Sequence, residues 1–164
     1  SKKMNDISTF SDDAKIWIFQ ANKPLDKSIQ EDIEKRLSSF CEQWTSHGAL
    51  MKAAFTISFD RFIIVALDES AAVISGCGQD KLIHVIQELG SIHSIDFFDR
   101  LQTLYFQDEE IVASRLHEFW GLRKANVVTN ETRVFDNTVK KLGEWKSKWI
   151  VPFAHSWHAE MWGK

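Results

Sequence analysis

The sequence predicts an α+β fold from three observations. Short runs rich in β-branched and aromatic residues end at turn residues, two longer stretches repeat apolar residues every third or fourth position, and neither pattern dominates the 164 residues. At 44% hydrophobic and 26% charged, the chain is long enough to bury a core, and its twenty aromatic residues argue against disorder. No run approaches the roughly 20 apolar residues of a membrane span, and Ser1 to Asp13 lacks the apolar stretch of a signal peptide, so a cytoplasmic protein with no membrane partner is expected. Cys41 and Cys77 are too few for a disulfide scaffold or a four-cysteine zinc site.

Residues 1–14, polar and carrying three Asp, read as a mobile leader. Ile16-Trp17-Ile18-Phe19, ended by Asn22-Lys23-Pro24, reads as a buried strand. Ile29, Ile33, Leu37, Phe40 and Trp44 then fall on one side of a helix. Asp26 or Ser28 can cap it, Ser28 with Glu31 fits a capping box, and Gly48 supplies a stop. Ala53 to Phe59 alternates in polarity at Thr56 and Ser58, as a half-covered strand does, whereas Phe62 to Leu67 is apolar throughout, as expected of an interior strand. Asp60-Arg61 between them is short enough for a hairpin. Ser75 to Asp80 reads as a flexible glycine-punctuated turn, followed by a helix on Leu82, Ile83, Val85, Ile86 and Leu89 that ends at Gly90. Leu101 to Phe106 supplies the next strand, and Asp108-Glu109-Glu110 a turn.

That order, βαββαβ, is the ferredoxin-like arrangement, an antiparallel sheet with helices on one face, expected here as a core over residues 15–110. Residues 111–164 read as a helical and αβ extension: a helix from Ser114 to Lys124, a strand at Arg133 to Phe135, and a helix with Val139, Leu142, Trp145 and Trp149 on one side. Residues 1–110 hold eleven Lys/Arg against eighteen Asp/Glu, and 111–164 hold nine against five. Solvated surface accounts for most such asymmetry.

Three groups of residues carry candidate chemistry. Ser75, Gly76, Gly78, Asp80 and Lys81 surround a predicted helix start, where backbone N–H groups hold anions or small ligands, and Cys77 there is a candidate nucleophile with His84 as its base. The simpler reading of Cys77 is a small residue packed in a tight strand-to-helix connection. The loop lacks G-x-x-x-x-G-K-[ST], and Leu82 follows Lys81, so P-loop ATPase chemistry is disfavoured. His155 and His158, with Glu160, have the spacing of a weak metal site, whereas the competing reading makes them polar flanks of an anchoring Trp157. Lys140, Lys141, Lys146 and Lys148 interleave with Trp145 and Trp149, but an amphipathic helix gives the same pattern, so nucleic acid is disfavoured as a partner. No cofactor motif is present.

Several segments together resemble a family of small cytoplasmic Bacteroidetes proteins that often carry the label "ABC transporter ATPase". They are Trp17 to Asn22, Gln43-Trp44 with His47-Gly48, Ser75-Gly76-Cys77 with Asp80, Phe98-Asp99-Arg100, Val134 to Asn137, and Val151-Pro152 with Ser156-Trp157-His158. After the cysteine the family carries Ser-Ile, where this chain has Gly78-Gln79. The resemblance implies no catalytic residue or cofactor, and its label conflicts with the missing nucleotide motif. The expectation is therefore a non-catalytic domain that binds a protein or small ligand and can form a homo-oligomer through a sheet edge or aromatic surface. The alternatives are a thiol enzyme or redox protein using Cys77, and a nucleic-acid binder using the basic aromatic tail.

Overall fold

A computed structural model describes residues 6–162. The chain is an α+β protein with antiparallel sheets, and it divides into two compact units, Ser1–Asp99 with Lys141–Gly143, and Arg100–Lys140 with Glu144–Lys164. The division falls about ten residues before the expected one at 110.

In the first unit, β1 (Lys15–Gln20), α1 (Lys27–Gln43), the short strands β2 (Thr45–Ser46) and β3 (Ala49–Leu50), β4 (Lys52–Ser58), β5 (Phe62–Asp68) and α2 (Gly76–His93) follow in order. The main sheet has the order β1-β5-β4, all antiparallel. Central β5 is buried from Phe62 to Leu67 because both its faces are covered, as its unbroken apolar run requires. Ile63, Val65 and Leu67 meet Ile33, Leu37 and Cys41 of α1 and Leu82, Ile86 and Leu89 of α2 in one core.

The first five elements of the expected arrangement are in place, but the sixth is not: the strand that would complete a four-stranded ferredoxin-like sheet lies in the second unit and pairs there. Its apolar pattern identifies a strand without naming its neighbour. A second correction concerns the leader. Residues 1–5 lie outside the described part, but Ile7–Thr9 form a 3-10 turn capped by the Asp6 carboxylate, and Phe10 and Ala14 are buried. The Lys52 ammonium sits 5.4 Å from the Phe10 ring centroid, so this stretch is packed rather than loose.

Helix starts are also corrected. Asp26 caps α1 by accepting the Ile29 N–H, which places Ser28 inside the first turn and rules out the Ser28–Glu31 capping box. The helix ends at Trp44, and Gly48 serves instead, at φ 78° beside His47 at φ 50°, as the two-residue turn joining β2 to β3. The supposed flexible loop at Ser75 is the cap and first turn of α2, which runs past Gly90 to His93. Gly90 lets the chain double back closely: Ile95 N–H donates to its carbonyl, and a Cβ there would lie 2.5 Å from Ile95 O.

The second unit is a four-stranded antiparallel sheet, β7-β6-β8-β9, of β6 (Gln102–Gln107), β7 (Glu110–Arg115), β8 (Arg133–Phe135) and β9 (Ile150–Pro152). Asp108, at φ 56°, turns β6 into β7, so Glu110 begins a strand and the helix expected from Ser114 starts at Leu116. The helices α3 (Leu116–Lys124), α4 (Leu142–Lys148, its first turn counted with the first unit) and α5 (Trp157–Trp162) complete the chain. Tyr105, Phe119, Val128, Val134, Phe153 and Ala159 form this unit's core.

Candidate functional site

Thr45 and Ser46 lie against the start of α2, and this contact decides what the helix N-terminus does. Ser75 Oγ accepts the Gly78 N–H at 3.0 Å and shares a 2.7 Å hydrogen bond with Ser46 Oγ, which in turn accepts the Ser75 N–H at 3.0 Å. The Trp44 indole donates to Gly78 O at 2.9 Å, and Lys81 Nζ donates to Thr45 O at 2.9 Å. Gly78 is buried, and a Cβ there would lie 2.8 Å from Ser46 Oγ. Of the expected anion-binding group, Ser75, Gly78 and Lys81 thus hold β2 on α2, while Gly76 and Asp80 face solvent.

Cys77 is exposed. His84 lies seven residues further along the helix, about 10 Å along its axis, with its Nε2 2.9 Å from Glu88 Oε1. Among the described residues no imidazole partners the Cys77 thiol. The other cysteine, Cys41, is buried, and burial pushes its thiol up to about 12.

The tail residues part in the same way. His158 is 2% exposed, its ring packed against Phe119 and Trp157 with centroids at 5.5 and 4.4 Å, whereas His155 and Glu160 are exposed. Among the described residues no group of three His, Cys, Asp or Glu side chains is placed to hold a metal ion. Burial lowers the His158 imidazole to about 4, against a smaller opposing effect of the Asp136 charge, so the ring is neutral at pH 7. It is His158, rather than Trp157, that is buried most deeply, the reverse of the anchoring expected from the sequence.

The Asp136 carboxylate is almost fully buried and satisfied on both oxygens. Oδ1 accepts from the Thr138 hydroxyl and N–H, and Oδ2 accepts the Trp157 N–H at 3.0 Å. Val134 pairs with Val151, and Trp149, 4% exposed, donates its indole N–H to Asn137 Oδ1 at 2.9 Å. The Trp149 ring is therefore not a platform for stacking a base. The dispersed motifs Val134 to Asn137, Val151-Pro152 and Ser156 to His158 come together here as one structural cluster.

Comparison with protein families, curated proteins and solved structures found no match.

Two residues with no expected role stand out in the first unit. Phe59 and Asp60 form the centre of the β4–β5 turn at φ 55° and 52°, closed by the Arg61 N–H donating to Ser58 O at 3.1 Å. This is the backbone that Asn-Gly adopts readily and a phenylalanine resists, and Phe59 is 48% exposed. Phe98, 39% exposed, packs edge-on against Phe19 with centroids 5.8 Å apart. Since Gln20 and Ser58 both pair with Phe62, the C-terminal end of β1 and the β4–β5 turn occupy the same end of the sheet. Phe98 also borders a groove of about 500 Å³ lined by Asn22, Gln87, Ser91, Asp96 and Phe97. The sequence placed the turn at Asp60-Arg61 with Phe59 as the last strand residue, whereas the strand ends at Ser58 and the turn centres on Phe59 and Asp60. The positive φ of Phe59 was not legible.

Proposed function

We propose that this chain is a binding domain that uses the aromatic end of its first unit, around Phe59 and Phe98, to hold a protein partner. The observation that carries this reading is Phe59 itself: a bulky residue held at positive φ, at a cost of about 1–2 kcal/mol, and nearly half exposed to solvent. A strained residue that still leaves about half of its surface in solvent is consistent with selection for a contact made outside the fold. Phe98 and the polar groove beside it supply a second aromatic contact and hydrogen-bonding groups, the mixture found at interface centres.

A photo-crosslinking phenylalanine analogue at position 59 or 98, with a control at exposed Glu31, tests the reading in cells. Discrete adducts from 59 and 98 and none from 31 are expected; identical patterns from all three, or no adduct, would contradict it.

A thiol-based activity is a second reading, favoured by the exposure of Cys77 at the first turn of α2. It requires a base brought by a substrate or partner, because His84 lies a full 10 Å along the helix.

A further inference from the structure

Helix α2 ends at the groove that Phe98 borders. Ser94, at φ 55°, breaks the helix, and its N–H and that of Ile95 both donate to Gly90 O, so that among the described residues no donor reaches the carbonyls of Ser91, Ile92 and His93. The negative end of an 18-residue helix is left open where Ser91 and Ser94 line the groove. Asp96 stands beside it. Its N–H donates to Asn22 Oδ1, its carbonyl accepts the Asn22 N–H, and its Oδ1 accepts the Phe98 N–H at 2.8 Å, which holds the carboxylate in place. Among the described residues Asp96 Oδ2 receives no hydrogen bond and the side chain has no ion-pair partner. The groove, of about 500 Å³, is lined by no lysine, arginine or histidine, and the buried side chains of Ile86, Ile95 and Phe97 give it an apolar wall.

We propose that this groove takes an arginine side chain of the partner protein. The inference rests on the binding function proposed for the aromatic end and names the chemistry by which that end recognises its partner. A guanidinium is a planar fork of N–H donors, so it can bond the free oxygen of Asp96 and the spare carbonyls of α2 together while its flat face lies against Phe98. Its methylene stem suits the wall of Ile95 and Phe97. Other occupants fit worse. A carboxylate or phosphate would be set against both the Asp96 charge and the negative end of α2, and a purely apolar side chain would cover these acceptors without supplying a donor. Arginine is also among the residues that most often dominate the binding energy of an interface.

Titration of the isotope-labelled full chain with N-acetyl-arginine N-methylamide is expected to shift the amide signals of Asn22, Ser91, Asp96 and Phe98. The citrulline counterpart, of the same shape without the charge, is expected to bind at least about threefold more weakly at matched ionic strength. Asp96→Asn keeps an acceptor for the Phe98 N–H but removes the charge, and should bring the two probes to equal affinity. Gln87→Lys, at an exposed position of α2 that lines the groove, places a cation there and should do the same, so the test survives a misfolded Asp96 variant. Equal affinities in the wild type, shifts confined to other parts of the chain, or a folded variant of either kind that keeps the wild-type preference would each overturn the proposal. The titration uses no partner. Absent crosslinks from positions 59 and 98 would therefore end the binding reading while an arginine preference stood, and crosslinks without that preference would end only the assignment of the groove.

Discussion

The buried carboxylate of Asp136 accepts the backbone N–H of Trp157 across twenty residues of chain, at 3.0 Å. With its other oxygen bound by Thr138, it joins the end of β8 to the start of α5. Replacing Asp136 with Ala leaves the Trp157 and Thr138 donors without their acceptor and is expected to cost about 2–4 kcal/mol, with Asn recovering part of the loss. Urea unfolding measures both, and an Ala variant within 0.5 kcal/mol of wild type, roughly the effect of a neutral surface change, would refute this role.

Acid should weaken the fold through His158. Its imidazole takes up a proton near pH 4 when folded and near 6.5 when unfolded, so between those values the unfolded chain binds more protons and stability falls as the pH drops. The loss is complete only below about pH 4 and amounts to roughly 3 kcal/mol. The Asp32 carboxyl, held low first by its hydrogen bond from His93 and then by Arg36, loses its contribution only below its ordinary value of 3.8, which separates the two effects. A His158→Gln variant should flatten the curve between pH 6.5 and 4; an unchanged slope would contradict the assignment.

Glycines 76 and 78 should respond in opposite ways. Nothing lies within 4 Å of a Cβ built on Gly76, whereas one on Gly78 would meet Ser46 Oγ and an Ile74 carbon inside 3 Å. Gly76→Ala is expected to be neutral or stabilising by up to about 1 kcal/mol, and Gly78→Ala to cost about 1–3 kcal/mol by prising β2 from α2. Equal effects in thermal unfolding would argue against the tight seat of Gly78.

The two thiols should separate cleanly on titration with a chromogenic disulfide. Cys77 is expected to react in the native protein, and Cys41 only as the protein unfolds, because it is enclosed and its thiolate is strongly disfavoured. Simultaneous reaction of both in native buffer would contradict the packing of α1.

Local signals in the sequence located most of the secondary structure. Ile33 and Leu37 of the α1 stripe, the unbroken run of β5 and the three residues of β8 fall where pattern and propensity place them. What failed was long-range. Nothing in Leu101 to Phe106 states that it pairs with β7 and β8 rather than β1, and two-residue strands such as β2 and β3 are too short to show alternation. The individual site residues were visible, but not their use: Ser75 and Lys81 meet the Thr45–Ser46 segment some 30 residues earlier, and His158 meets Phe119. A lysine or histidine spent on internal contacts looks the same in sequence as one offered to a ligand.

The most direct test of the proposed binding function is Phe59→Asn, because its effects on stability and on crosslinking are predicted to move apart. Asn suits the positive φ of the turn, so the variant should unfold about 1 kcal/mol later than wild type, while crosslinking from position 98 to the partner should be lost. A variant that is stabilised yet crosslinks from position 98 as wild type does would show that the exposed ring has no part in binding, and the account of this chain as a domain that recognises its partner through Phe59 would be wrong.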